Sequence, residues 1–179
     1  MNILLLFSVA IFTFYIAWVW IKFGVQKSVS KSFYLHEGSA LWYGWIIGWM
    51  FPSLVVGSSL THIDDVNLVF FSCFCFGLVA TAPDFLKQYK SMEWWVHMIG
   101  AYLGVGLITI ALWYNFKQPI MFIIMVATLI GLTRVRNHIW WMELATYYIG
   151  IASMWLTVNG YYHVLHEKIV LVLKFLLPL

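Results

Sequence analysis

The sequence predicts an all-α integral membrane protein, an up-and-down bundle of six transmembrane helices followed by a short C-terminal helix that is interfacial or half-inserted. The chain has 179 residues, of which 63% are hydrophobic and only 9% are charged, whereas soluble domains carry about 25% charged residues. A soluble chain of this length could not bury so much apolar surface, because surface-to-volume scaling limits its core. The apolar residues also fall into runs close to the length that crosses a bilayer, about 17–25 residues.

The first predicted span covers residues 2–24. Its sequence has no basic region at the start and no cleavage site of small residues. The apolar run is also longer than that of a secretory signal peptide. We therefore expect this segment to be retained as the first transmembrane helix.

Five further apolar runs follow, and the connections between them are brief. Brief connections favour packing of neighbouring helices side by side. The tail after residue 160 has an apolar part that Lys174 splits, so it is too short to span easily, and a seventh span is the alternative. No internal repeat or linker is visible, which predicts one domain over residues 1–179. The five runs are 40–60, 66–82, 95–114, 118–133 and 138–159.

Two GxxxG pairs predict close helix packing, Gly44 with Gly48 and Gly100 with Gly104. Glycines at this spacing form a flat face on which a second helix backbone can approach. Cys73 and Cys75 lie in an apolar run and are interpreted as buried free thiols.

The distribution of lysine and arginine predicts the orientation in the membrane, because cytoplasmic loops carry the excess of these residues. The loops after the first, third and fifth spans would then be cytoplasmic, in the cell inner membrane, and the N-terminus non-cytoplasmic. The basic residues on the predicted cytoplasmic side are Lys22, Lys27, Lys31, Lys87, Lys90, Arg134 and Arg136, against Lys117, Lys168 and Lys174 on the other side.

Scarce polar residues concentrate on the predicted cytoplasmic side and predict a pocket there. The stretch "GVQKSVSKSFYLHEG", residues 24–38, follows the first span, and Glu143 lies about one turn inside the sixth. A carboxylate in hydrocarbon costs about 2.5–3.5 kcal/mol, so Glu143 should face the bundle interior and find an arginine, a histidine or a serine there. It is either half of a structural ion pair or part of a ligand or proton site. The predicted cluster comprises Ser28, Ser30, Tyr34, Asp84, His97, Arg134, Arg136 and Glu143.

His97 and Asp84 have two interpretations, a hydrogen bond at a helix end or a titratable pair. Burial shifts the pKa of a histidine or a glutamate toward neutrality, so either His97 or Glu143 could act as a general base. That possibility identifies no reaction.

A second polar set on the opposite side is a candidate metal site. His163 and His166 are three residues apart and share a face if their segment is helical. Two histidines with carboxylates suit zinc or iron. Solvated loops with interfacial histidines are the alternative interpretation. The set comprises His62, Asp64, Asp65, His163, His166 and Glu167.

Four stretches, "VWIKFGVQKSVSKSFY", "ATAPDFLK", "VHMIGAYLG" and "NHIWWMEL", resemble an uncharacterised family of small polytopic membrane proteins of gut-type bacteria and their phages. The resemblance covers residues 14–145 and implies a multi-pass membrane protein, but no activity or cofactor. One departure is Phe33 before Tyr34, where the family tends to have two tyrosines. The family's signatures fall here on Ser28, Ser30, Phe33-Tyr34, Pro52, Ala82-Pro83-Asp84-Phe85, His97 to Ala101, and Trp140, Trp141 and Glu143.

Three classes of function are compatible with this sequence. The first is a membrane protein whose pocket binds a small polar or lipid-headgroup ligand, for transport, sensing or modulation of a partner. The second is an intramembrane hydrolase that acts on lipid, with a metal or through serine and histidine. The third is a non-catalytic subunit of a larger membrane complex, or of an oligomer of this chain. Nucleic acid is not an expected partner, because the net charge is only +3 and no basic-aromatic pattern occurs.

Overall fold

The computed structural model describes residues 3–35, 41, 44, 47–50, 68–81 and 91–159, and all regular structure within these residues is helical. The prediction of an all-α fold is thus confirmed for this part of the chain. Residues 41, 44 and 47–50 are helical as well. The elements with defined bounds are α1 (Ile3–Phe23), a 3₁₀ helix (Ser30–Tyr34), α2 (Leu68–Thr81), α3 (Met92–Tyr114), α4 (Pro119–Leu132) and α5 (His138–Val158).

The helices lie where the apolar runs predict them. The first, third, fifth and sixth predicted spans agree with α1, α2, α4 and α5 to within two residues at each end. The second predicted span, 40–60, is helical at the residues described within it. The rest of that span and the C-terminal segment lie outside the described residues.

Among the described helices, α1 and α3 are long and apolar enough to cross a membrane by length and composition. Apolar side chains such as Ile21 and Tyr102 are 84% and 70% exposed on their outer faces. Large apolar surfaces on long helices are typical of contact with lipid. Among the described residues, two shorter apolar helices accompany them, Leu68–Val79 and Pro119–Leu132.

Helix α3 begins three residues earlier than the hydropathy pattern predicts. The Ser91 side chain accepts a hydrogen bond from the Trp94 backbone N–H (3.1 Å), and Glu93 lies in the first turn. A serine N-cap and an acidic first turn both stabilise a helix start. His97 therefore lies in the second turn of α3 and not at its entrance.

The end of α1 turns the chain back toward the bundle. Gly24 has φ 72°, a left-handed conformation that glycine adopts without strain, and its N–H donates to the Trp20 carbonyl (2.9 Å). The Gln26 side chain donates to the Phe23 carbonyl (2.8 Å), a C-terminal group that α1 itself leaves unpaired.

Two apolar clusters form the interior. One joins α2, α3, α4 and α5 through residues such as Val69, Leu112, Met125 and Met154. The other joins α1 to α5 through residues such as Val19 and Trp140. Neighbouring helices pack against each other, as the short connections predict. The contact between α2 and α3 is the most extensive among the described helices.

The α2–α3 contact confirms the predicted glycine face of α3. A Cβ atom at Gly100 would lie 2.7 Å from the Cys75 carbonyl oxygen, and one at Gly104 would lie 2.9 Å from the Phe76 ring. No real side chain approaches a backbone oxygen so closely, so the two helices depend on glycine at position 100. No described atom lies within 4 Å of such a Cβ at Gly44 or Gly48.

We expect Gly100→Ala to lower the free energy of unfolding by about 1–3 kcal/mol, because the backbone of α2 must shift to make room. Gly106→Ala is the matched control on the same helix. A Cβ there meets nothing within 4 Å, and alanine is a better helix former than glycine by about 1 kcal/mol. Thermal unfolding in detergent compares the two; equal effects would contradict the packing role of Gly100.

Candidate functional site

Residues 24–34, here called the polar segment, fold back into the bundle. Ser28, Ser30 and Ser32 are only 9%, 7% and 0% exposed. Buried hydroxyl groups require hydrogen-bond partners. These serines find such partners within the segment and on α1 and α3. Helix α5 binds the segment by accepting a hydrogen bond from one of its backbone N–H groups.

The contact with α5 is made by Glu143. The backbone N–H of Val29 donates to the Glu143 carboxylate oxygen Oε2. Among the described residues Glu143 forms no ion pair, and both Arg134 and Arg136 are exposed in the turn between α4 and α5. The expected neutralisation of Glu143 by one of these arginines is therefore not found in the described part of the chain; a backbone amide binds the carboxylate instead.

The contact with α3 is made by His97, which is 5% exposed. Its Nε2 atom lies 3.3 Å from the Ser30 hydroxyl. The Ser30 hydroxyl lies in turn 3.1 Å from that of Ser28, which accepts from the Lys31 backbone N–H (3.1 Å). The predicted association of Ser28, Ser30, His97 and Glu143 is therefore present, with consecutive residues Val29 and Ser30 joining the two helices.

Further contacts fix the two ends of the polar segment. The Ser32 hydroxyl donates to the Val29 carbonyl (2.5 Å) and is hydrogen-bonded to the Tyr15 hydroxyl of α1. The Asn137 side-chain amide donates to the Val25 carbonyl (3.2 Å). Asn137 has φ 58°, which asparagine tolerates better than most residues, so the turn before α5 is shaped to reach the segment.

A cavity of about 130 Å³ lies between α1, α2, α3 and α5, with the polar segment at one end. Most of its wall is apolar, with Val105 and Ile108 from α3 and Met154 from α5. Phe12, Phe76 and Tyr147 contribute aromatic rings. The polar groups on its wall include Ser30, Ser72, Glu143 and Thr146.

Thr146 is the unusual member of this set. It is 3% exposed, and its hydroxyl has no hydrogen-bond partner among the described residues. Ser72, in contrast, donates to the Gly104 carbonyl (2.7 Å). The Tyr147 hydroxyl is hydrogen-bonded to the Ser8 hydroxyl of α1 (2.7 Å). Because Glu143 and Thr146 are three residues apart on α5, they lie on one face and line the cavity together.

The other predicted residues are placed as follows. Tyr34 is half-buried at the end of the 3₁₀ helix, with its ring edge-to-face on Phe33 at 5.1 Å. Asp84, Pro52 and the whole candidate metal set, from His62, Asp64 and Asp65 to His163, His166 and Glu167, lie outside the described residues. Within residues 3–35, 68–81, 91–159 and the few described between them, no group of three potential metal ligands comes together. Cys73 and Cys75 are buried free thiols, as predicted.

Sequence reasoning did not single out Val29, Tyr15, Ser32 or Thr146. Val29 binds through its backbone, which no side-chain pattern reveals. Thr146 had one available signal, its position three residues after Glu143 on a helix whose polar residues should face inward. Ser32 likewise continues the Ser28, Ser30 alternation.

Comparison of the chain with models of known protein families, with curated proteins and with solved structures gives no match. The resemblance to the family of small polytopic proteins of bacteria and phages therefore stays a prediction.

We expect Thr146→Val to raise the free energy of unfolding by about 1 kcal/mol, because it removes an unpaired buried hydroxyl and keeps the shape of the side chain. Ser72→Ala is the control, since it removes a hydroxyl that is paired and should lower the free energy of unfolding by a similar amount. Chemical or thermal unfolding in detergent measures both. A loss of stability in Thr146→Val as large as in Ser72→Ala would show that the hydroxyl does have a partner.

Proposed function

We propose that this chain is a six-span inner-membrane protein that binds a small ligand in the cavity between α1, α2, α3 and α5. The single observation that carries the proposal is the Glu143 and Thr146 pair. These two polar groups lie on the wall of an otherwise mostly apolar cavity, and the described residues leave Thr146 unpaired. Transport, sensing and modulation of a partner all begin with such binding.

The six-span topology rests on the two long apolar helices together with the apolar runs of the remaining sequence. Helix α5 has 21 residues, which at 1.5 Å per residue matches the thickness of a bilayer core. Its polar residues Glu143 and Thr146 line the cavity inside the bundle. That arrangement is the one expected for ionisable residues inside membranes.

The orientation with a non-cytoplasmic N-terminus is supported by where the described cations lie. Lys22 lies in the last turn of α1, and Lys27 and Lys31 follow that helix. Arg134 and Arg136 precede α5, which the Asn137 contact brings to the same level. Lys117 lies at the opposite end, between α3 and α4. The basic end is the cytoplasmic one under the positive-inside rule.

The cavity volume limits the size of the ligand. Apolar cavities of roughly 150 Å³ bind one benzene-sized molecule, whereas pockets for drug-sized ligands measure about 300–1,000 Å³. At about 130 Å³, the cavity admits one small molecule or the end of a longer one. The ligand class is therefore a small amphiphile, with its polar group at Glu143 and Thr146.

Filling the cavity should abolish binding. We expect ethylbenzene to raise the unfolding temperature of the wild-type protein, because a ligand that binds only the folded state stabilises it. Val105→Phe places a ring in the cavity and should remove this shift. Ile110→Phe is the matched control on the outer face of α3, where Ile110 is 51% exposed, and should keep it. If both variants respond as the wild type does, the ligand does not occupy this cavity.

A hydrolase is the second candidate, and one contact favours it. Ser30 lines the cavity, and its hydroxyl lies 3.3 Å from His97 Nε2, so it could attack an ester carbonyl while the histidine takes the proton. The expected result for an enzyme is covalent labelling of Ser30 by an alkyl fluorophosphonate, lost in Ser30→Ala and retained in Ser28→Ala. Mass spectrometry of the intact protein reads the label, and an unlabelled wild type excludes a serine hydrolase.

A further inference from the structure

We infer that the ligand of the cavity carries an ammonium group, which binds between the Glu143 carboxylate and the Thr146 hydroxyl, on an apolar body that fills the rest of the space. This inference rests on the proposed function, since it names the chemical class of the ligand for the same cavity. It is carried by the hydrogen-bonding capacity of the two side chains and by the composition of the wall.

Glu143 has one carboxylate oxygen that no described residue uses. Its Oε2 atom accepts from the Val29 N–H, and the described residues give its Oε1 atom no donor. An ionised carboxylate has about four acceptor positions and no donor. When Glu143 is ionised, a group that satisfies Oε1 must therefore donate a hydrogen bond.

Thr146 adds a second polar group on the same helix face, and the described residues leave its hydroxyl without a partner. Its hydroxyl oxygen can accept a hydrogen bond, and its side chain is almost completely buried on the cavity wall. One ammonium group has three N–H donors, enough for a carboxylate oxygen and a hydroxyl oxygen at once. A neutral hydroxyl group can also reach both, by donating to Oε1 and accepting from the Thr146 hydroxyl, so the choice between the two ligand classes depends on charge.

Charge favours an ammonium over other donors. No lysine or arginine of the described residues pairs with Glu143, and a carboxylate in an apolar surrounding gains most from a cationic partner. The rings of Phe12, Phe76 and Tyr147 line the same cavity, and the faces of aromatic rings attract ammonium groups. The apolar wall formed by residues such as Val105 and Ile108 then accommodates a hydrocarbon body.

Three probes of nearly equal shape test the inference: benzylamine, benzyl alcohol and ethylbenzene. Their apparent affinities are measured from the ligand dependence of the unfolding temperature of the full chain in detergent. We expect benzylamine to bind wild type at least about tenfold more tightly than benzyl alcohol does, the gain of one charge-assisted hydrogen bond. Comparing variants with wild type for each probe removes the contribution of micelle partitioning.

Glu143→Gln is the decisive variant. Its amide oxygen still accepts from the Val29 N–H, so the polar segment keeps its anchor, but the charge is lost. We expect benzylamine affinity to fall about tenfold or more, with ethylbenzene affinity unchanged. Thr146→Val, which keeps the carboxylate, should reduce benzylamine affinity by a smaller factor and also leave ethylbenzene unaffected; it provides the test if Glu143→Gln does not fold.

The outcomes separate the two proposals. If ethylbenzene binds but benzylamine gains nothing from Glu143, the cavity binds ligands and the ammonium inference is wrong. The same conclusion follows if benzyl alcohol binds as tightly as benzylamine. If none of the three probes binds, the proposed function itself is wrong.

The ammonium could belong to a free amine or to the headgroup of an aminophospholipid, and a second arm distinguishes them. The protein is reconstituted in nanodiscs of phosphatidylglycerol, with or without phosphatidylethanolamine. Weaker benzylamine binding in the presence of phosphatidylethanolamine assigns the ammonium to the lipid headgroup. Equal binding in both assigns it to a free amine, and either result supports the inferred class when the Glu143→Gln effect is present.

Discussion

The contact between the Val29 N–H and the Glu143 carboxylate is the interaction on which the arrangement of the site depends. A segment rich in serine has no stable place against hydrocarbon unless its backbone and hydroxyl groups are paired. Glu143 gives that segment an acceptor inside the bundle, and the segment gives Glu143 a donor that no described cation supplies. Each group would be costly to bury alone. Together they explain how the polar segment returns to the protein interior after an apolar helix.

The remaining contacts of the polar segment follow from this anchor. Once Val29 is held at α5, Ser30 reaches His97 on α3 and Ser32 reaches Tyr15 on α1. Three helices are therefore joined by three residues within four positions of the chain, Val29, Ser30 and Ser32. Polar pairs of this kind contribute to helix association in lipid, where the hydrophobic effect does not drive helices together. The glycine face of α3 supplies the close backbone packing that completes the association with α2.

The helical elements could be predicted from the sequence because hydropathy alone locates them. Ser91 shows the limit of that signal, since a polar N-cap extends α3 beyond its apolar run. For the site, the residue types were sufficient to predict that Ser28, Ser30, His97 and Glu143 lie close together. Polar side chains in an apolar chain need polar partners, and few are available. The partner of Glu143 could not be predicted in the same way. Arg134 and Arg136 are close in sequence, but Asn137 turns the chain at φ 58° and leaves both arginines exposed.

The cavity has no sequence signature, because it arises from how side chains from separate parts of the chain fail to fill the space between them. Gly150, at which a Cβ would lie 3.3 Å from the Ile108 side chain, helps to set how close α5 comes to α3 along that wall.

The geometry at the polar end of the cavity also bears on how a bound ligand would affect the fold. Since Val29 uses only the Oε2 atom of Glu143, a donor in the cavity can bind Oε1 without displacing the polar segment. Under the proposed function, binding adds a second partner to the same carboxylate, so that ligand and segment stabilise one another through Glu143 and do not compete for it.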